Sequence, residues 1–421
     1  MVRLKADATS EGRLKAAPTT APTAASTAPA IVAVMCGLIV FVDGFDAQAM
    51  GYVAPALSAA LHIPRALLGP VISSGLVGMM IGALVSGSLA DRIGRRPVLI
   101  GCTVIFGIGS LLTATAQSVQ VLVIYRALTG LGMGGAMPNA IALTSELMPR
   151  RRRGSSVTMM ICGFSLGAAV GGFVAASIIP RFGWQSVFIA GGTAPILIAA
   201  ASFLWLPDSV RQRARGLPVA QLFTEGRGVA TVLIWIVYFM NLLNLYFLSS
   251  WLPTIISDDG VPVSTAIRLT ALFQISGIGG AIVLGLILDR FFSFWVLAAC
   301  YLWAAISVLL IGASGASTLM LGVTIAFAGW GIIGGQNGGH AVTADFYPTM
   351  MRSTGVGWAL GIGRIGSITG PVLGGWLLAS GTPVGQVFWA AAIPAMIATL
   401  AATGLAIRQR SHSVAQRTAQ M

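Results

Sequence analysis

The amino-acid sequence predicts an all-α membrane protein in which twelve transmembrane helices form two pseudo-symmetric six-helix bundles. Hydrophobic residues make up 56% of the 421 residues and charged residues only 9%, a composition typical of a chain that crosses a bilayer many times. The 53 glycines suit close helix–helix packing in lipid. Twelve apolar runs have the length of a membrane span, and the motifs that follow equivalent runs recur in both halves of the chain.

Each predicted span is an apolar run of about 20 residues, the length that an α-helix needs to cross the hydrocarbon core. The predicted spans are 31–55, 67–90, 97–116, 120–147, 155–180, 184–206, 229–255, 266–288, 293–313, 317–344, 353–379 and 384–407. An Ala-, Thr- and Pro-rich segment precedes the first run, and the longest internal link follows the sixth. The predicted regions are a disordered cytoplasmic tail at 1–29, a six-helix bundle at 30–206, a central cytoplasmic loop at 207–228, a second six-helix bundle at 229–407 and a cytoplasmic tail at 408–421.

Matching motifs support the division into two repeated halves. Asp91-Arg92 follows the second run and Asp289-Arg290 follows the eighth, at an offset of 198 residues. Glu146 follows the fourth run and Asp345 the tenth, at an offset of 199 residues. Because each half has an even number of helices, the halves should be parallel and related by an axis along the membrane normal.

Arginine and lysine residues predict the orientation, because short loops rich in these residues stay in the cytoplasm. With the N-terminus inside, 20 of the 25 Arg and Lys residues fall in cytoplasmic segments. Arg65, Arg181 and Arg268 fall outside, and Arg126 and Arg364 lie within membrane runs. The sequence therefore predicts a multi-pass protein of a bacterial inner membrane with both termini in the cytoplasm.

Composition also excludes several classes of function. The formal net charge of +13 is concentrated in the N-terminal tail and in short links, so it indicates topology rather than nucleic-acid binding. The four cysteines lie in apolar runs with unrelated spacing, which predicts neither disulfides nor a metal site. The sequence has no nucleotide-binding Gly-Lys-Ser/Thr loop. We expect a protein that is not an enzyme, has no cofactor or nucleotide, and is a monomer in the bilayer.

Two aspartates lie inside the first predicted span, in the segment Asp43-Gly44-Phe45-Asp46. A carboxylate near the middle of a membrane costs at least about 3 kcal/mol, so two of them need a reason. Their spacing of three residues places both on one helix face. This pattern predicts a pathway face for protons or solute. The alternatives are an acid that extends to the interface and a purely structural pair.

The same offset of 198 residues relates this pair to two asparagines in the seventh span. Adding it to Asp43 and Asp46 gives Asn241 and Asn244. Both halves would then present a polar pair to a central cavity, but only the N-terminal pair can titrate. The alternative is that the asparagines only form hydrogen bonds between helices.

The link after the second span reads Gly87-Ser88-Leu89-Ala90-Asp91-Arg92-Ile93-Gly94-Arg95-Arg96 and closely resembles the cytoplasmic loop signature of the major facilitator superfamily. Leu288-Asp289-Arg290 resembles its degenerate second copy. The resemblance implies that Asp91 helps to lock the outward-facing state, by charge contacts and by facing the N-terminus of the eleventh helix. The alternative is that these arginines only fix orientation. The predicted conformational gate consists of Gly87, Asp91, Arg92, Gly94, Arg95, Arg96, Glu146, Arg153, Asp289, Arg290, Asp345 and Arg352.

Further motifs resemble one family within that superfamily. Asp43-Gly44-Phe45-Asp46 is similar to the DGxD signature of the aromatic acid:proton symporters. Trp251-Leu252-Pro253-Thr254, Phe346-Tyr347-Pro348-Thr349 and Gly361-Ile362-Gly363-Arg364-Ile365-Gly366 also fit. The resemblance implies transport of 4-hydroxybenzoate, protocatechuate, benzoate, vanillate, gentisate, muconate or a similar acid. The central loop is shorter than expected for the family. This departure argues against regulation through the loop and leaves the expected transport core unchanged.

Four charges within the predicted spans suggest how transport would be driven. Asp43, Asp46, Arg126 and Arg364 have a formal sum of zero, which a low-dielectric interior tolerates. A bound carboxylate would make the site negative by one, and a proton on an aspartate would restore neutrality. Arg126 matches the family arginine tied to proton coupling, at a depth where it can approach Asp46. We predict that Asp43, Asp46 and Arg126 couple protons; a structural ion pair is the alternative.

Substrate binding is predicted at Arg364, because a guanidinium binds a carboxylate in a bidentate manner; a packing role is the alternative. Apolar walls would hold the ring, and polar groups of the tenth span could bind ring hydroxyls, although each aromatic residue could instead serve packing. His340 could also relay protons. The predicted substrate-binding residues are Arg364, Asn241, Asn244, Gln336, Asn337, His340, Phe45, Trp330 and Trp358.

The sequence therefore predicts a proton-coupled importer of a monoaromatic carboxylate, with alternating access of two halves to a midplane site and the proton as coupling ion. One alternative is a symporter of an aliphatic or dicarboxylic acid such as muconate. Another is a proton-coupled drug exporter, against which the paired arginines argue. A third, from a different class, is an aromatic acid sensor of transporter-like fold that moves no solute.

Overall fold

The computed structural model describes most of the chain. The described residues are 28–148, 153–207, 219–291, 294–315, 317–348 and 351–419. The predicted N-terminal tail falls mostly outside them, as do the side chains of two predicted gate residues, Asp91 and Arg153.

Twelve α-helices account for nearly all of the described residues, as the sequence predicts. They are α1 (Ala28–Leu61), α2 (Arg65–Ile93), α3 (Arg95–Thr113), α4 (Val119–Leu147), α5 (Arg153–Phe182), α6 (Gln185–Trp205), α7 (Gly228–Asp258), α8 (Val263–Arg290), α9 (Phe294–Ala313), α10 (Thr318–Phe346), α11 (Arg352–Ala379) and α12 (Val384–Ala419). A short 3-10 helix at Val219–Phe223 ends the central link, with Leu222 fully buried. The last helix continues well beyond the predicted span at 384–407.

Eleven of these helices are long and apolar enough to cross a membrane. The exception, α11, has 28 residues, but it contains Arg364 and eight glycines, which lower its hydropathy. The length of α11 still suffices for a span. The chain is a multi-pass membrane protein.

The helices pack as two equivalent six-helix bundles. In the first, α1 packs on α5, α2 on α4, and α3 on α4 and α6. In the second, α7 packs on α11, α8 on α10, and α9 on α10 and α12. The bundles meet through α2 with α11, α5 with α8, and α1 with α7. This correspondence confirms the predicted pseudo-symmetric arrangement.

Glycines permit the closest of these contacts. A side chain at Gly130 on α4 would collide with the carbonyl oxygen of Gly75 on α2. The corresponding residue of the second bundle, Gly329 on α10, faces the Phe273 carbonyl on α8 in the same way. Small residues let helix backbones approach closely where no hydrophobic effect drives association. The approach of α4 to α2 fixes the position of Arg126, which lies one turn before Gly130.

The two ends of the molecule differ. We name the end where α1 begins and α12 ends the proximal end, and the opposite end the distal end. At the distal end a single apolar cluster includes residues of both bundles, such as Leu57 and Trp251. At the proximal end each bundle has a cluster of its own, around Leu99 in the first and Leu297 in the second. Among the described residues the bundles therefore share the large distal cluster and a small one of Leu76, Leu242 and Tyr246 nearer mid-depth, whereas their proximal clusters are separate.

Candidate functional site

A buried ion pair joins α1 to α4 in the middle of the first bundle. Asp46 is fully buried, Arg126 is 4% exposed, and Asp46 Oδ2 lies 2.8 Å from Arg126 Nη1. The Ser110 hydroxyl donates a hydrogen bond of 2.8 Å to Asp46 Oδ1, and the Arg126 guanidinium lies 5.5 Å from the Phe188 ring centroid. Both carboxylate oxygens are thus bonded, which a desolvated ion pair requires. The predicted proximity is confirmed; a role in coupling stays a prediction.

Asp43 lies one turn before Asp46 and is 1% exposed. Its Oδ1 atom has no hydrogen-bond partner among the described residues. Asp43 is close enough to interact electrostatically with Arg364 and with Asp46. A buried carboxyl group without a full set of hydrogen-bond donors is costly when it is charged, and in this respect Asp43 differs from Asp46, whose two carboxylate oxygens both have partners.

Arg364 projects from α11 towards the first bundle. Its Nη1 atom lies 3.0 Å from the sulfur of Met79 on α2 and 3.3 Å from the hydroxyl of Tyr246 on α7. Both partners are neutral, and a thioether sulfur is a weak acceptor. A guanidinium has five N–H donors in a planar fork, so Arg364 retains donor capacity for an anion.

A small cavity lies between the bundles beside these charges. Its walls are mostly apolar, and its polar groups are the Arg126 side chain and the Tyr246 hydroxyl. The lining residues are Ala47, Met50, Ile72, Gly75, Leu76, Met79, Arg126, Met133 and Tyr246. The cavity measures about 10 Å³, roughly the space for one water molecule. In this structure the cavity is too small to hold an aromatic ring.

A row of polar side chains connects α7 and α10 in the second bundle. Asn241 Nδ2 lies 2.5 Å from Gln336 Oε1, and Gln336 Nε2 lies 3.1 Å from His340 Nε2. His340 Nδ1 lies 3.0 Å from the hydroxyl of Tyr238. The row thus contains three predicted substrate-binding residues and one residue, Tyr238, that the sequence did not single out.

The two asparagines of α7 have different surroundings. Asn241 is bonded across to α10, whereas Asn244 is 1% exposed and neither of its amide atoms has a hydrogen-bond partner among the described residues. Asn337, which is also predicted to bind substrate, donates to the carbonyl of Ile333 in its own helix. Of the predicted amides, Asn241 and Gln336 therefore form the connected pair.

The structure does not bring the three predicted aromatic residues to the cavity. The Phe45 ring is buried against Gly171 and Gly191 inside the first bundle. Trp330 packs edge to face with Trp303 on α9, and Trp358 is 43% exposed and stacks on Trp235. The cavity has Tyr246 and three methionines as its large apolar surfaces instead.

The loop between α2 and α3, which carries the Gly87–Arg96 signature, contacts the ends of α4 and α6 in the first bundle. Gly94 has φ +99°, a left-handed conformation that favours glycine, and it separates α2 from α3. Arg95 Nη1 lies 3.1 Å from Glu146 Oε1 at the end of α4, and Arg96 donates to the Phe203 carbonyl of α6 at 2.7 Å.

The remaining described gate residues lie at the proximal surface. Gly87, Arg92, Asp289, Arg290, Asp345 and Arg352 are exposed. The Arg290 guanidinium lies 6.0 Å from the Phe291 ring centroid. These positions agree with a gate whose two sides are apart, and the gating role stays a prediction.

The sequence reading missed contacts between the bundles at the distal end. Arg65 Nη2 at the start of α2 lies 2.6 Å from Asp258 Oδ1 at the end of α7. The Ser73 hydroxyl donates to the Ile368 carbonyl of α11 at 2.7 Å. The topology offered a signal for the first contact, because Arg65 is one of three basic residues outside and Asp258 falls on the same side.

Comparison with known proteins places the chain among transporters. The Major Facilitator Superfamily model matches residues 36–294 and 234–421. The 4-hydroxybenzoate transporter PcaK of Pseudomonas putida is 41% identical over 405 residues, which cover 88% of this chain and 90% of that protein. The gallate transporter of Pseudomonas putida is 38% identical over 405 residues, with coverage of 88% and 90%.

A solved structure agrees on the fold. The bacterial homolog of the human lysosomal transporter Spinster, in an inward-facing and occupied conformation, has a TM-score of 0.74 and 16% identity, covering 91% of this chain and 97% of that one. The relatives are named as transporters, not as enzymes. This chain belongs to the major facilitator superfamily and, within it, to the family of aromatic acid transporters.

Proposed function

We propose that the protein is a proton-coupled symporter that imports a monoaromatic carboxylate such as 4-hydroxybenzoate, protocatechuate, benzoate, vanillate or gentisate. The observation that carries the proposal is that Arg364 lies between the bundles without an ion-pair partner among the described residues. It is a cation between the bundles whose described side-chain partners are a thioether and a phenol, and it lies within electrostatic range of the incompletely bonded Asp43. An arginine placed in this way is suited to bind the carboxylate of a substrate.

The need for a neutral buried site would link binding of the substrate anion to uptake of a proton. The two aspartates and two arginines of the site sum to zero, and a buried site with a net charge is costly. A substrate carboxylate on Arg364 would leave the site negative by one. A proton on Asp43, the acid with an unbonded oxygen, would restore neutrality, whereas the Asp46–Arg126 pair would stay charged.

The apolar walls would hold the ring. Methionine sulfur packs favourably against aromatic rings, and Met50, Met79 and Met133 are unbranched side chains that can adapt to differently substituted rings. The Tyr246 ring could stack against the substrate ring. The Arg364 N–H group that now donates to the Tyr246 hydroxyl would then donate to the substrate carboxylate instead.

Alternating access would follow from the difference between the two ends. The excess of arginine in the proximal links supports a cytoplasmic location for that end, so both termini would be cytoplasmic in a bacterial inner membrane. A structure joined at the distal end then corresponds to the inward-facing state. Substrate and proton together must favour the rearrangement through different affinities for the two states, because binding alone shifts no equilibrium.

Uptake of labelled 4-hydroxybenzoate by cells that express the chain would test the proposal. We expect uptake that a protonophore abolishes, loss of uptake in Asp43→Asn, and loss in Arg364→Gln. Arg181→Gln removes one positive charge at an exposed distal position and serves as a matched control that should retain uptake.

Three outcomes would contradict the proposal. Uptake that survives both the protonophore and Asp43→Asn would refute proton coupling through this acid. Competition by muconate but not by any aromatic acid would indicate a dicarboxylate carrier, and saturable binding without flux in proteoliposomes would indicate a sensor.

A further inference from the structure

Four neutral polar side chains lie in series between α7 and α10, and we name Asn241, Gln336, His340 and Tyr238 the amide–imidazole series. Successive members are 2.5, 3.1 and 3.0 Å apart. Each member therefore constrains the next one.

The direction of each hydrogen bond follows from the first. Asn241 donates through Nδ2 to Gln336 Oε1, which leaves Gln336 to donate through Nε2 to His340 Nε2. A neutral imidazole that accepts at Nε2 carries its proton on Nδ1, and Nδ1 then donates to the Tyr238 oxygen. The Gln336 amide thus selects the tautomer of His340, and the Tyr238 hydroxyl, which accepts from Nδ1, holds the imidazole ring in this orientation.

Helix packing does not require this series. The positions of the first bundle that correspond to Tyr238, Gln336 and His340, at offsets of 198 or 199 residues, are Val40, Met137 and Ile141. These apolar side chains occupy the equivalent contact of α1 with α4. The fourth member, Asn241, corresponds to Asp43 of the proposed site. Since the first bundle forms this contact with apolar side chains at three of the four positions, helix packing alone does not account for the series.

The series lies within electrostatic range of the proposed carboxylate anchor and has unused hydrogen-bonding capacity. Gln336 and His340 are half-buried rather than fully buried, and His340 interacts electrostatically with Arg364. Each carboxamide has two N–H donors and an oxygen with two lone pairs, and the bonds of the series occupy only some of them. A substrate held at Arg364 by its carboxylate would direct the far edge of its ring to other groups between the bundles.

We infer that the amide–imidazole series binds a ring hydroxyl of the substrate at the meta or para position, and that Tyr238 is the positioning residue that keeps His340 and Gln336 oriented for it. This inference rests on the proposed function and specifies its substrates as hydroxylated aromatic acids. A hydroxyl both donates and accepts, so it can join a neutral series without adding charge. A ring without the hydroxyl would leave series groups desolvated and unpaired, which is the basis of strong discrimination.

Ligand-dependent melting of the purified full-length protein gives the first test. The probes are 4-hydroxybenzoate, 3-hydroxybenzoate and benzoate, because ligand binding raises the melting temperature according to concentration and affinity. We expect at least one hydroxybenzoate to bind roughly 10-fold or more tightly than benzoate, a preference that corresponds to about one hydrogen bond.

Variants then assign the preference to the series. Tyr238→Phe should reduce it to about 1 and leave benzoate affinity nearly unchanged. His340→Gln, which places an amide near the Nε2 position, should retain more of the preference than His340→Asn, which places one near Nδ1. Gln274→Met removes a different hydrogen bond between helices of the same bundle, from Gln274 Nε2 to the Ser249 hydroxyl at 3.2 Å, and should leave the ratio as in the wild type.

The outcomes separate the inference from the proposed function. Equal stabilisation of the wild type by all three acids would overturn the inference and leave aromatic acid transport standing. A preference that persists unchanged in Tyr238→Phe and in both His340 variants would overturn it as well. If none of the acids stabilises or is transported by the wild type, both the inference and the proposed function are wrong.

Discussion

The two bundles share one architecture and differ in the chemistry of their interiors. In the first, Asp46 pairs with Arg126 and accepts from Ser110. The corresponding positions of the second bundle, at offsets of 198 or 199 residues, are Asn244, Ile325 and Val308, all buried. A desolvated ion pair in one half is thus replaced by an unpaired amide and two aliphatic side chains in the other.

Three members of the amide–imidazole series, Tyr238, Gln336 and His340, have apolar counterparts in the first bundle, and the fourth, Asn241, corresponds to Asp43. The Asp46–Arg126 ion pair and Asp43 therefore lie in the first half, whereas Arg364 and the neutral hydrogen-bonding groups lie in the second. Movement of the halves relative to one another would change the distance between the proposed proton site and the proposed ring-hydroxyl site. A conformational equilibrium can couple two ligands in this way, because each can favour a different arrangement of the same rigid bodies.

The largest expected effect comes from converting the charged cluster into its counterpart. Arg126→Ile alone should destabilise the protein by about 3–5 kcal/mol, because it leaves Asp46 buried and without its cation. The double variant Asp46→Asn/Arg126→Ile reproduces the second bundle and should recover most of that stability, but not proton-coupled uptake. Thermal unfolding in detergent and uptake measurements check both statements. A double variant as unstable as the single one would mean that the ion pair is required for folding.

Replacing a glycine at the closest helix contact should lower stability by a similar amount in both bundles. Gly130→Ala and Gly329→Ala each place a methyl group against a backbone carbonyl of the neighbouring helix, and overpacking of this kind costs about 1–3 kcal/mol. Gly279→Ala, on an exposed part of α8 with nothing near its added methyl group, is the matched control. Melting temperatures would check this symmetry. If only one of Gly130→Ala and Gly329→Ala lowered the melting temperature strongly, the two bundles would share their architecture but not the energetic importance of this contact.

The unpaired amide of Asn244 should be dispensable. Asn244→Leu removes two buried polar atoms that lack partners, so it should raise stability by about 1–3 kcal/mol and leave uptake intact. Asp46→Leu at the equivalent position should instead abolish uptake. Loss of uptake in a stable Asn244→Leu protein would restore the sequence-based prediction that Asn244 binds substrate.

The smallest effect concerns the distal ion pair between the bundles. Arg65 and Asp258 are 44% and 26% exposed, and pairs of this kind contribute up to about 1 kcal/mol. Arg65→Asp should shift the equilibrium towards distal opening, and Arg65→Asp/Asp258→Arg should reverse the shift. Gly69 on α2 faces Pro371 and Val372 on α11, where the two bundles meet. The rate at which a thiol reagent labels Gly69→Cys would measure the extent of distal opening. Equal labelling in all three proteins would show that the pair does not influence closure.

The sequence predicted the helices and one contact of the site, for reasons that are specific to membrane proteins. Apolar length and offset motifs are one-dimensional signals, and they predicted the twelve helices and the two halves. The contact of Asp46 with Arg126 followed from depth, because a charge within lipid needs a partner at its own level.

The aromatic residues were harder to place. Phe45, Trp330 and Trp358 lie in helices that are apolar on every side, so periodicity cannot separate a face towards lipid from one towards a neighbouring helix or a cavity. Tyr238 was missed for a related reason, since its role depends on a partner 102 residues away on another helix. Sequence reasoning also treated Asn241 and Asn244 alike, although one turn of helix gives them entirely different neighbours.

The apolar cluster at the distal end has a consequence for energy conservation. Continuous files of water conduct protons, and a leak across the protein would dissipate the gradient that the proposed transport cycle uses. The cavity beside Arg126 and Tyr246 has room for about one water molecule, and the shared cluster with Leu57 and Trp251 fills the space beyond it with hydrocarbon. The packing that joins the two bundles therefore also insulates one side of the membrane from the other.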